Sequence, residues 1–245
     1  KTYFEKINDV ANMNMIRGCI MERAVQHQLQ GKIPKGQMEK FVKDWLFKES
    51  AFLDTTQEDK EKELDHLLGN KKTKGMINNC LEAIEELQLT NIKYQTKYLT
   101  RLKKTNTDIK GITDAEGYSE KFKEEILVDF KAAKQIRQIE IDNKIQGGVY
   151  HKFTGKRIFF IKCSKARYEI QELSKEDIYI GLETAVHVLN IIENVCENFE
   201  TLEDYYKVIY PFKKYDRSDL MEKEIKKQYR KLFNTNDEYK KAIHI

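Results

Sequence analysis

Four residues in the middle of the chain are of the types that phosphodiester hydrolysis needs. Glu140, Asp142 and Lys144 alternate along Glu140-Ile-Asp-Asn-Lys144, with Asp129 upstream. Two carboxylates can hold a divalent cation such as Mg²⁺, and a lysine two residues further on can support the attacking water. That chemistry requires a strand, so that Asp142 and Lys144 project on the same side. Ile139 and Ile141 alternate as a strand would, but the segment continues the preceding helical pattern equally well. In a chain with 34% charged residues, such a triplet also arises without any function.

A denser charge signal lies just beyond. Residues 152–167 hold Lys152, Lys156, Arg157, Lys162, Lys165 and Arg167 and no acid, whereas 172–204 hold nine acids and one lysine. The spacing predicts a helix from Ser119 to about Arg137, carrying Lys131, Lys134 and Arg137. Gly147-Gly148 follows, then a hairpin of Val149–Phe153, a Thr154-Gly155 turn and Arg157–Ser164, and a further strand at Arg167–Leu173. A basic hairpin after a basic helix is similar to the arrangement of winged-helix proteins. That resemblance implies a helix in the major groove and a wing, residues 149–167, along the phosphates. The same order is similar to double-stranded-RNA-binding modules, but those present a basic start on their last helix, and here it begins Ser174-Lys-Glu-Asp177. The competing reading is a solvated hairpin paired with the acidic segment, each surface pair contributing about 0–1 kcal/mol.

Lys93, Lys97, Arg101 and Lys104 form a second basic stripe, read as one face of a helix that starts after Thr90-Asn91, with Tyr94 and Tyr98 alongside. It could follow a phosphate backbone or be the wet side of an amphipathic helix. Arg23 and His27 lie one helical turn apart. Helical ribonucleases of the HEPN class place four to six residues between such a pair, and three intervene here, so this is read as a surface pair. His66 and His187 lack a ligand partner at i+3 or i+4, and no GxxxxGK[ST], GxGxxG, GxSxG or HExxH run is present.

The elements that must position these groups follow from periodicity. Helices are predicted over about 4–29, 38–52, 77–87, 92–102 and 119–137, with an acidic segment from Asp54 leading to Leu64, Leu67 and Leu68 before Gly69-Asn70, and two shorter helices after Pro211. Ile178, Leu182, Ala185, Leu189, Ile192, Cys196 and Phe199 give the strongest stripe, apolar enough for a core helix or a dimer face. Residues 105–117 have no sustained period. A net charge of +4, 11 Gly and 2 Pro in 245 residues exclude collagen-like and strongly charged disordered classes. No apolar run approaches the roughly 18–20 residues of a membrane span. Cys19, Cys80, Cys163 and Cys196 are widely spaced, which argues for free thiols rather than zinc.

The resulting expectation is a mainly α fold: a multi-helix N-terminal region (1–108), a linker or long loop (109–117), and an α/β/α region (118–245) with one small antiparallel β-meander, winged-helix-like. The leading functional reading is a non-enzymatic, cytoplasmic nucleic-acid-binding protein, DNA favoured over RNA, with no cofactor and no metal. The alternatives are a helical protein–protein or homodimer module docking through 178–199, and a Mg²⁺-dependent nuclease. No membrane partner is expected.

Overall fold

The computed structural model describes residues 13–198 except Phe52 and Asp54. The expected helices before residue 13 and after Pro211, and Phe199 of the apolar stripe, lie outside the described residues. Residues 13–188 form one compact unit; residues 1–12 and 189–245 group as a second, of which only 189–198 are described.

Four helices come first: α1 (Met13–Leu29), α2 (Met38–Glu49), α3 (Gln57–Leu68) and α4 (Gly75–Glu86). They carry the periodicity that the sequence showed, with one change of face. α1 buries Ile16, Ile20, Met21, Ala24 and Val25, while Met15 and Leu29, expected inside, are exposed. Thr56 and Asp59 close a reciprocal capping box at the start of α3.

The remainder is built on a sheet. Strands β1 (Leu89–Arg101), β2 (Asp108–Ser119), β3 (Glu124–Ala132), β4 (Arg157–Cys163) and β5 (Tyr168–Glu172) lie in that order, with α5 (Ile141–Thr154) crossing between β3 and β4 and α6 (Lys175–Asn198) at the end. β3 and β4 are parallel and the other neighbours antiparallel. The fold is therefore α/β, six helices on a five-stranded mixed sheet among the described residues, and not mainly α with a small meander.

Three expectations fall together. The helix expected at 92–102 is β1, the segment 109–117 read as a linker lies inside β2, and the helix expected at 119–137 is largely β3. Conversely, Val149–Phe153, expected as the first strand of a wing, is the end of α5, so Arg157–Cys163 pairs with β3 and β5 instead. The physical cause is a spacing of four. It satisfies a period of 3.6 approximately and a period of 2 without error, so Phe122, Ile126 and Phe130 fit a helix face and a strand face alike. β-branched and aromatic residues at every second position of β1 (Thr90, Ile92, Tyr94, Thr96, Tyr98, Thr100) are the strand signal that the stripe of cations concealed.

β3 is buried on both faces, Ile126 through Phe130 all lying inside. Ile126, Val128 and Phe130 join the core beneath α1 and α4, together with Phe159, Ile161 and Cys163 of β4. Leu127, Ile158 and Phe160 face the other way, toward Tyr150, Phe153, Leu173 and Ile178. On that second side α5 and α6 approach closely. A Cβ on Gly148 would meet Ile178 O at 3.0 Å, and one on Gly181 would meet Lys144 O at 1.9 Å.

Candidate active site

The alternation of β3 decides what meets what. Asp129 and Lys131 continue the Leu127 side, toward α5, and α5 presents Gln146 to them. Gln146 Nε2 donates to Asp129 Oδ1 at 2.7 Å, and Gln146 Oε1 accepts from Lys131 Nζ at 2.8 Å. Lys131 Nζ also lies 2.7 Å from Asp129 Oδ2. Tyr150, one turn beyond Gln146, lies with its hydroxyl 3.0 Å from Gln146 Nε2 and donates to Ile112 O of β2 at 2.7 Å. Gln146 is thereby held from both ends. Asp129 is 1% exposed, and its Oδ2 has no hydrogen-bond donor of good geometry, only the Lys131 ion pair.

Two further carboxylates approach. The β2–β3 ladder runs from Ser119↔Glu124 to Ala115↔Val128 and stops there. One residue past that point Asp114 Oδ2 accepts the Phe130 backbone N–H at 2.8 Å, a side chain standing where the ladder opens. From the other layer, Glu22 of α1 is close enough for its charge to act on both Asp114 and Asp129, and it accepts a hydrogen bond from Gln95. Burial, then the Asp129 and Glu22 charges, push the Asp114 carboxyl up to about 8. Burial likewise raises Glu22, with Asp129 adding to it, and burial raises Asp129 against the opposing pull of Lys131 and Gln146. Three acids with raised affinity for protons thus lie within electrostatic reach of one lysine.

Glu116, two residues past Asp114, shows what a purely structural acid looks like here. It is 3% exposed but accepts from Thr96 at 2.9 Å, Tyr98 at 2.7 Å and Lys156 at 2.8 Å, and its carboxyl is held below the usual range even though burial pulls the other way. Asp114 and Asp129 lack such a set of donors.

These groups offer carboxylate oxygens on rigid elements, with charge repulsion that a hard divalent cation would relieve. Among the described residues no group of three His, Cys, Asp or Glu side chains is placed to hold a metal ion, and Lys131 is the counter-ion paired with Asp129.

Of the residues read from sequence, Asp129 and Lys131 are brought together, although they had been assigned to different chemistries. Glu140 precedes α5 and is exposed; Asp142 is exposed on its first turn; Lys144 is paired with Asp177 at 2.7 Å. The triplet 140–144 is helical from Ile141 and does not project as a strand would. Most of the expected wing cations are engaged in the fold. Lys156 bridges Glu116 and Glu125, Arg157 bridges Glu124 and Glu172, and Lys165 pairs with Asp65. Lys162 is 5% exposed and donates to the carbonyls of Arg137 and Gln138. Lys134 and Arg137 are exposed in the β3–α5 connection, Lys152 on α5 and Arg167 in the β4–β5 turn. In the second stripe Lys93 and Lys97 are exposed on β1, Arg101 pairs with Asp108, and Lys104 sits in the turn to β2.

Glu22, Asp114, Gln146 and Tyr150 were not singled out from sequence. Two signals were available: Asp129-Phe-Lys131 is itself a carboxylate-x-Lys run, and Gln146 and Tyr150 stand four apart on one helix face. The described cysteines, Cys19, Cys80 and Cys163, are free, and no described helix is long and apolar enough to cross a membrane.

No family model matches the chain, and no curated protein is significantly similar to it. Among solved structures, fifteen chains match; one, described as the crystal structure of SSO0001, shares 16% identity with a TM-score of 0.33, covering 74% of this chain and 78% of that one. A likeness of that degree carries no functional inference.

Proposed function

We propose that this protein is a metal-dependent nuclease whose site is Glu22, Asp114, Asp129 and Lys131, held by Gln146 and Tyr150. The observation that carries the reading is the Asp129-x-Lys131 pair on a buried strand, with Asp114 of β2 and Glu22 of α1 within electrostatic reach of it. Strand alternation places carboxylate and lysine on the same side, which the segment 140–144 fails to do.

In this reading the carboxylates of Asp114 and Asp129, with Glu22 nearby, would hold Mg²⁺, which would supply Lewis-acid stabilisation of the phosphodiester oxygens. Lys131 orients the attacking water, and Gln146, hydrogen-bonded to both Lys131 and Asp129, fixes the two side chains relative to one another. Water attacks phosphorus and one P–O ester bond breaks. The products are a phosphate monoester and an alcohol, the water's proton ending on the leaving oxygen.

The cytoplasmic placement and the preference for DNA over RNA expected from sequence belong to this proposal. Unpaired cysteines support the former. The test is cleavage of labelled DNA and RNA, single- and double-stranded, with Mg²⁺ and with chelator. Cleavage that needs Mg²⁺ and disappears in Asp129→Asn supports the reading. Absence of cleavage for every substrate overturns it.

A further inference from the structure

Next to Glu22 on α1, Arg23 points at a different partner. Its guanidinium carbon lies 3.8 Å from the centroid of the Trp45 ring on α2, and Lys48 Nζ lies 4.8 Å from the same centroid. Trp45 is followed along α2 by Phe41, ring centroids 6.3 Å apart, and Phe41 by His27 of α1 at 5.3 Å. All three rings are partly exposed. The row begins next to Glu22 and proceeds toward the C-terminal end of α1.

The chemistry of this strip is that of a stacking track. Aromatic faces receive bases of any sequence, and cations over or beside them meet the phosphates in between. Arg23 is available for such a contact. Its only ion pair given by the structure is to Glu49 at 3.8 Å, with both side chains more than 40% exposed, so water and salt weaken it. A duplex presents its bases edge-on and stacked on one another, and cannot lay them on these rings.

Building on the nuclease reading, we propose that Arg23, Trp45, Phe41 and His27 bind the single strand flanking the scissile phosphate, Arg23 on a phosphate and Trp45 under a base. Trp45 is the chain's one tryptophan, so its fluorescence reports the contact without a label. The full chain is titrated with a twelve-nucleotide oligothymidine, and with a duplex of equal length, in chelator so that nothing is cleaved. Polarisation of an end-labelled oligonucleotide gives binding in parallel.

The expected result is saturable quenching of Trp45 by the single strand and little by the duplex, with affinity reduced about tenfold in Arg23→Ala and Trp45→Ala. Arg23→Ala leaves the α1 core face intact and guards against a Trp45 variant that fails to fold. Binding by polarisation without quenching, equal quenching by the duplex, or no binding overturns the track. Mg²⁺-dependent cleavage without quenching removes the track and leaves the nuclease; quenching without cleavage removes the nuclease and leaves the track.

Discussion

Lys131 Nζ lies 2.7 Å from Asp129 Oδ2, two positions along the same strand, and both side chains leave β3 on the side of α5. An ammonium beside a 1%-exposed carboxylate normally closes a structural ion pair. Here two more acids stand within electrostatic reach and raise one another's proton affinity. An ion pair surrounded by surplus negative charge is poised to take a second cation.

The first prediction concerns the division between the residues that touch the cation or water and the candidates that do not. Asp129→Asn and Asp114→Asn reduce Mg²⁺-dependent cleavage by at least about a hundredfold, a loss on the scale of removing one charged stabiliser of a transition state. Asp142→Ala, on an exposed first turn, leaves the rate within about twofold. Single-turnover cleavage by the purified variants measures both; an Asp142→Ala loss matching that of Asp129→Asn returns the site to residues 140–144.

Gln146 acts through Lys131 and Asp129, so its removal should weaken rather than abolish activity. Gln146→Ala lowers kcat about 10- to 100-fold, the usual effect of losing a group that orients a metal ligand, and raises the Mg²⁺ concentration for half-maximal rate. Gln146→Glu makes the Lys131 contact but not the donation to Asp129, and recovers only part of the rate. A Mg²⁺ titration at saturating substrate separates the two effects.

How far the sequence anticipated this can be followed in a few residues. The helices α2, α3, α4 and α6 are evident because apolar residues recur there at 3–4 spacing, with the Ser174 cap in place ahead of α6. β4 and β5 are evident from Ile158–Ile161 and from the turn at 165–166. The centre of the sheet is hidden by Phe122 in the preceding turn and Ile126 and Phe130 on β3, spaced by four, and Ile126 to Val128 on a strand buried on both faces give no polar alternation to mark the period. Once β3 is taken for a helix, Lys131 becomes a surface cation and Asp129 loses its neighbour. Glu22 and Asp114 could not be found locally at all, since their relation to Asp129 exists only after α1 packs on the sheet and the β2–β3 ladder opens past Ala115.

Asp114 gives the pH dependence. Its carboxyl is raised to about 8 from an ordinary 3.8, so the folded protein keeps a proton that the unfolded chain releases. Stability therefore falls as pH rises from about 4 to about 8, and is lowest above that window. Asp114→Asn, which retains an acceptor for the Phe130 N–H, raises Tm at pH 9 by a few °C (about 2–4 °C per kcal/mol for a chain of this size) and has little effect near pH 4. Mg²⁺ must displace the same proton, so its affinity rises with pH up to about 8 and then levels. Thermal melts at the two pH values, with and without Mg²⁺, check the sign.

The placement of α5 depends on the absence of a side chain at Gly181. Gly181→Ala would put a Cβ 1.9 Å from Lys144 O, and α5, which carries Gln146, must shift to admit it. The expected cost is about 1–3 kcal/mol, with a lower kcat from the displaced Gln146. Denaturant unfolding measures the first and single-turnover cleavage the second; full stability in Gly181→Ala would contradict the close α5–α6 approach.

The central claim is that Asp129 and Lys131 belong to one hydrolytic site. Its most direct measurement is cleavage of end-labelled single-stranded DNA by the native chain, Asp129→Asn and Lys131→Ala, each in Mg²⁺ and in chelator, with binding followed on the same samples. The account predicts cleavage by the native chain in Mg²⁺ alone, with both variants inactive yet still bound to DNA. Cleavage that persists in Asp129→Asn, or a native chain that binds DNA and leaves it intact in Mg²⁺, contradicts it.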